Sequence, residues 1–164
     1  KQKVYSADGV LLTEFDYKHD KMDGKVLTYW NNGKLKRSDV YIQGILVEGK
    51  CFTQDGRDTM YFPYILSPQF IGGIDSLRTF LKKNLHYPRS AMYEGYEGTV
   101  YVSFIIDKDG EVTNTSVYKG VSAELNAEAL RVVSKMPKWM PGKLDGEYNK
   151  FGYTLPLTFI SSDE

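Results

Sequence analysis

The chain has 164 residues, 41% of them hydrophobic, 26% charged and 14% aromatic, with Lys+Arg and Asp+Glu both at 21. That apolar content supports packed cores and excludes intrinsic disorder, and the length allows one large domain or two small ones. With no basic excess there is no counterion-release term for nucleic acid and no polybasic attraction to anionic lipid, so neither partner is expected. No apolar run reaches the roughly 18–20 residues of a membrane span. The first residue is Lys1 rather than Met, so we expect a processed chain whose export signal, membrane anchor or lipid anchor lay in a removed N-terminal segment.

In chain order, the first sixty residues repeat. Asp8-Gly9, Asn32-Gly33 and Asp55-Gly56 recur with a period in the low twenties, and Gly24-Lys25 is echoed by Gly49-Lys50. Such dipeptides between short alternating runs predict hairpins with type I′ turns, both central residues taking positive φ. The runs, such as Val26 to Trp30, are β-branched and aromatic, as strands prefer. A regular period of this length predicts an all-β stack of repeat hairpins, each covering its neighbour. The pattern Gly24-Lys25-x-x-x-Tyr29-x-x-x-Gly33 and the shorter Gly49-Lys50-x-Phe52-x-x-x-Gly56 resembles bacterial MORN-type repeats over residues 4–62.

Residues 61–68 follow, with Pro63 and Pro68, and predict an extended connector. We place the domains at 1–62 and 68–164, with 63–67 as linker. Leu77, Phe80, Leu81 and Leu85 lie at helical spacing behind a candidate cap, Asp75, and the helix should stop before Pro88. Val100, Val102, Phe104 and Ile106 alternate into Asp107-x-Asp109-Gly110, and a second run extends from Glu111 to Tyr118, which predicts a hairpin. Leu125, Ala129, Val132, Val133 and Met136 mark a second helix ending at Pro137, and Tyr153, Leu155, Leu157 and Phe159 alternate again. The fold class is α+β: the hairpin stack, then a small antiparallel sheet with two helices on one face.

Chemistry-bearing motifs are few. Cys51 reads as a small buried residue and His19 as solvated. His86 lies next to Tyr87 and is the better candidate for contact, but neither histidine has metal-ligand spacing, so no metal site is expected. Gly110 of Asp107-x-Asp109-Gly110 is misplaced for an EF-hand loop and reads as a turn glycine. Gly72-Gly73 has no Lys-Ser/Thr after it and reads as close approach of chain to helix. No nucleophile elbow occurs, and neither catalysis nor a cofactor is expected. Trp139 reads as a core plug between the second helix and the last strand.

Residues 67–160 also show an extended, ordered likeness. It runs through Pro68-x-Phe70-x-Gly72-Gly73, Asn84-Leu85-x-Tyr87-Pro88, Gly95-x-x-Gly98, Ile106-Asp107-x-Asp109-Gly110, Met136-Pro137-x-Trp139-x-Pro141-Gly142 and Tyr153-x-Leu155-Pro156-Leu157-x-Phe159. This segment resembles the C-terminal domain of TonB-family energy transducers. The resemblance implies a periplasmic protein-binding module that captures an extended segment of TonB-dependent outer-membrane receptors by strand addition, with energy transduction for nutrient transport as the process it would serve. It also implies that Asn84, Leu85, His86, Tyr87 and Pro88 contact the receptor. Pro156 suits an edge strand, which adds Tyr153, Thr154, Leu155, Leu157 and Phe159 as binding residues. A second proline at Leu157 is then expected to abolish binding. The rival reading is a scaffold in which Tyr29, Trp30, Tyr41, Phe52 and Tyr61 of the repeats form the working surface and the C-terminal domain makes a homodimer by edge pairing.

Overall fold

Turn glycines set the strand lengths of the first half. The computed structural model describes residues 1–160 and divides into a unit Lys1–Pro63 and a second unit beginning at Tyr64. The first is an antiparallel meander of β1 (Gln2–Tyr5), β2 (Leu11–Lys18), β3 (Lys21–Tyr29), β4 (Leu35–Ile42), β5 (Ile45–Phe52) and β6 (Asp58–Thr59), each paired with the next in a single sheet. At Asp8-Gly9, Asn32-Gly33 and Asp55-Gly56 only the glycine has positive φ (80°, 78° and 92°). Each glycine amide donates to the carbonyl three residues back, on Ser6, Trp30 and Thr53. These are type I turns closed by a left-handed glycine, which corrects the type I′ expectation: one glycine supplies the only positive φ the loop needs. Consecutive positive-φ pairs occur instead at His19-Asp20 (51°, 59°) and Gln43-Gly44 (51°, 85°).

The buried face of the first unit is partly charged. Arg37 and Asp39, two apart on β4 and therefore on one face, are both 0% exposed and paired at 2.8 Å. The Phe62 carbonyl accepts from Arg37 Nη2 at 2.7 Å, and the Phe62 ring lies 4.6 Å from the guanidinium. The Tyr61 hydroxyl donates to Asp39 Oδ2 at 3.3 Å. A Cβ on Gly49, which pairs with Asp39, would lie 2.3 Å from the Tyr61 ring. Glycine there lets residues 61–62 fold down over the ion pair. Burial, then the Asp39 charge, pushes the Tyr61 phenol up to about 12. Val26, Thr28, Lys36 and Cys51 are also buried in this unit.

The second unit contains β7 (Ile65–Leu66), α1 (Gly73–Asn84), α2 (Arg89–Tyr93), β8 (Gly98–Ile106), β9 (Val112–Lys119), α3 (Ala123–Ser134), β10 (Lys143–Leu144), β11 (Glu147–Tyr148) and β12 (Phe151–Phe159). Its main sheet has the order β12-β8-β9, and a minor one the order β11-β10-β7. Ile65 and Leu66 of the expected linker thus belong to a sheet, paired with Leu144 and Lys143. Three helices replace the expected two, because α2 makes a single short stretch after Pro88. Helix α1 begins at Gly72 in the left-handed region (φ 82°), with Asp75 inside the first turn rather than at the cap. Both glycines have positive φ, and a Cβ on Gly72 would lie 2.3 Å from Ser76 Oγ in the first turn, so the pair serves backbone conformation and, at Gly72, also the expected close approach of chain to helix. Helix α3 is capped by Ser122, whose hydroxyl accepts from the Leu125 amide. In the β8–β9 hairpin, Asp107 Oδ1 accepts from the Asp109 and Glu111 amides.

The core joins one sheet face to the helices. Val100, Val102, Phe104 and Ile106 from β8 and Leu157 and Phe159 from β12 pack with Leu77, Ala91, Leu125, Ala129 and Val133. Trp139 plugs this core at 7% exposure, in ring contact with Phe70, Phe104 and Tyr153 at 5.5–6.0 Å.

Candidate functional site

A three-stranded sheet has two edges, and here they differ. Along β9 the pairing to β8 shifts register twice, between Tyr101/Val102 and between Ser103/Ile105, and Asn114 takes φ 53°. Bulges of this kind twist an edge and block addition of another strand. Along β12 all nine residues, from Phe151↔Ile106 to Phe159↔Gly98, pair with β8 without a shift. No other strand among the described residues pairs with β12. It is the long, regular edge of the sheet.

Pro156 fixes which backbone groups face outward. It lies opposite Tyr101 within the unbroken ladder and has no N–H, so it fits where the backbone points away from β8. The even-numbered residues then present their backbone groups to the open side: N–H of Gly152, Thr154 and Thr158, and C=O of these and of Pro156. The hydroxyl contacts Thr99–Thr158 at 2.9 Å and Ser103–Thr154 at 3.0 Å agree, since facing side chains come closest at non-hydrogen-bonded pairs. Odd-numbered residues bond inward to β8. Their side chains face the helices, with Leu157 at 2% exposure. A proline at Leu157 would therefore break the ladder and the core, and the substitution that tests the edge belongs at Thr154 or Thr158.

The segment Asn84–Pro88 is held in place from α3. Arg131 clasps Glu128 with two bonds of 2.6 Å, and its Nη2 also donates to the Asn84 carbonyl at 2.6 Å. Glu128 Oε1 accepts from the His86 amide at 2.7 Å. Burial would push the Glu128 carboxyl up, but the bonds from Arg131 and the His86 amide outweigh it and hold Glu128 below the ordinary carboxylate range. The Tyr87 ring meets Phe159 at 5.9 Å and its hydroxyl donates to the Tyr96 carbonyl at 2.6 Å. The two expected binding segments, 84–88 and 153–159, thus meet at Tyr87–Phe159. His86 is exposed, Asn84, Leu85, Tyr87 and Pro88 half-buried, and Thr154 exposed on the open sheet face.

Sequence reasoning missed three parts of this site. Gly152 and Thr158 belong to the outward row, and the alternation of apolar residues drew attention to the inward one. Glu128 and Arg131 were assigned no role, although their (i, i+3) spacing was visible. A cavity of about 460 Å³ between α1 and the first half of β12 draws its walls from four separate stretches of chain. Tyr153 borders it, with burial pushing its phenol up and its hydroxyl donating to the Pro68 carbonyl at 3.1 Å.

Residues 83–160 match the family model for the Gram-negative bacterial TonB protein C-terminal region. Two solution NMR structures of the Helicobacter pylori TonB C-terminal domain are similar at 26% identity. One covers 58% of this chain and 83% of its own, the other 60% and 100%, each with a TM-score of 0.43. No curated protein matches the chain. No helix among the described residues is long and apolar enough to cross a membrane. Over residues 83–160, the chain is similar in sequence to the TonB C-terminal domain family.

Proposed function

We propose that the second unit is a periplasmic, non-enzymatic interaction module that captures an extended segment of a TonB-dependent outer-membrane receptor by adding it as a strand to β12. The observation that carries this reading is the contrast between the edges: β9 is bulged, whereas β12 offers nine residues in unbroken register with its outer side unpaired by any described strand. An extended chain laid there gains main-chain hydrogen bonds from Gly152, Thr154 and Thr158, with a donor missing at Pro156. Main-chain bonds give affinity, and side-chain pockets give selectivity. The family match over residues 83–160 supports the class of partner. Energy transduction is the process such capture would serve.

The test is a titration of the full chain with extended receptor-derived peptides, read by backbone amide NMR. Perturbations centred on residues 152–158 and 84–88 are expected. Perturbations along β9, or only in the first unit, would overturn the reading. The scaffold alternative gains little from the first unit, where three of the five expected surface aromatics have internal partners. Tyr29 donates to Glu14 at 3.1 Å, Trp30 Nε1 to the Phe52 carbonyl at 3.1 Å, and Tyr61 to Asp39.

A further inference from the structure

The cavity beside β12 is contiguous with the outward edge. Thr154, an edge residue whose amide faces the open side, lines it together with Tyr153 and Leu155, and Ile74 and Leu77 of α1 form the opposite wall. A strand paired with β12 lies about 4.8 Å outside it and puts every second side chain on the helix side of the sheet. That is the side on which Ile74 stands 60% exposed. None of the residues lining the cavity is charged, so an entering charge would lose its hydration without gaining a partner.

We propose that this cavity is the anchor pocket of the captured strand and takes one large apolar side chain, aromatic or long aliphatic, from the strand's helix-facing row. The inference rests on capture along β12 and adds what selects the segment. The volume of about 460 Å³ falls in the range of ligand-binding clefts, roughly 300–1,000 Å³, and exceeds what a methyl group can fill. The occupant is an extended chain rather than a free small molecule because the cavity runs into a row of unpaired backbone donors, which only another backbone can pair in sequence. Trp139 supplies a reporter in the wall. Its Nε1–H is buried without a hydrogen-bond partner among the described residues, so its environment is set by the surrounding rings and changes when another side chain joins them.

The experiment titrates the full chain with short acetylated peptides of threonine and valine whose central residue is phenylalanine, leucine, alanine or lysine. Backbone amide and indole N–H resonances are followed together. The phenylalanine and leucine peptides are expected to bind about tenfold more tightly than the alanine peptide, with lysine no better than alanine. The Trp139 indole signal should shift with the two tight peptides, while that of Trp30 stays put. Ile74→Glu, at an exposed position, should erase the preference while amide dispersion is retained. Equal affinity for all four peptides, with perturbations along 152–158 and a still Trp139, would overturn the pocket and leave strand capture standing. Silence along 152–158 with every peptide would overturn both. A Trp139 shift on raising the protein concentration alone would make a second copy the occupant and overturn the proposal.

Discussion

Arg131 shows how one side chain positions a segment without touching a partner. Its guanidinium holds Glu128 and the Asn84 carbonyl together, and Glu128 in turn holds the His86 amide. Charge-assisted bonds of this kind are worth about 1.5–3 kcal/mol each. Arg131→Ala should therefore speed amide exchange at His86 and Tyr87 and lower unfolding free energy by about 1–3 kcal/mol, measured by urea titration. Because the folded-state pKa of Glu128 is depressed, its contribution is complete above the unfolded carboxylate value of about 4.3 and is lost as pH falls through the lower folded value. Exchange-corrected protection at His86 should accordingly drop at acid pH in the wild type, and Glu128→Gln should remove that pH dependence. In the first unit, Asp39→Ala would leave the buried Arg37 without its carboxylate and should cost about 3–5 kcal/mol, followed through Trp30 fluorescence. The buried ion pair was hidden in the sequence because Arg37 and Asp39 sit on a strand whose neighbours, Lys36 and Ser38, are also polar; nothing local distinguishes a buried charged face from a solvated one.

At the scale of elements, local periodicity was informative where an element is long. Strict alternation marked β8 and β12, and helical spacing with a proline stop marked α1 and α3. Five-residue α2 and two-residue β7, β10 and β11 are too short to complete a period, and they exist only through their partners. In the first unit three of the five hairpin positions were legible from Asp-Gly and Asn-Gly, those at His19-Asp20 and Gln43-Gly44 were not, and the turn type was hidden because one left-handed glycine satisfies a type I turn as well as a primed one. The edge character of β12 was legible from Pro156; which row of amides faces outward required the register against β8. That row makes a sharp expectation. Thr154→Pro and Thr158→Pro each remove one outward donor and should weaken peptide binding several-fold, about 0.5–1.5 kcal/mol per bond lost, with β8 amide shifts largely preserved. Leu157→Pro should unfold the second unit, seen as loss of amide dispersion from β8 and β12.

At the scale of the molecule, the chain couples a six-stranded meander to a domain with one open sheet edge. The candidate site was legible in the sequence as two segments, 84–88 and 153–159, and the structure brings them together through Tyr87 and Phe159. What could not be read was the third side of the site, the cavity, because Phe70, Ile74, Trp139 and Leu155 are brought together only by the tertiary fold. Each unit carries one tryptophan, Trp30 in the first and Trp139 in the second, so the unfolding of the two can be followed separately. Asp39→Ala should shift the Trp30 transition more than the Trp139 one. Amide hydrogen exchange with and without a bound receptor-derived peptide tests whether β12 is the docking edge. The amides of Tyr153, Leu155 and Leu157 should be protected in the unbound protein, and those of Thr154 and Thr158 should become protected only when peptide is added. Protection gained along Val112–Lys119 instead, or Thr154 and Thr158 amides already protected without peptide, would contradict the account.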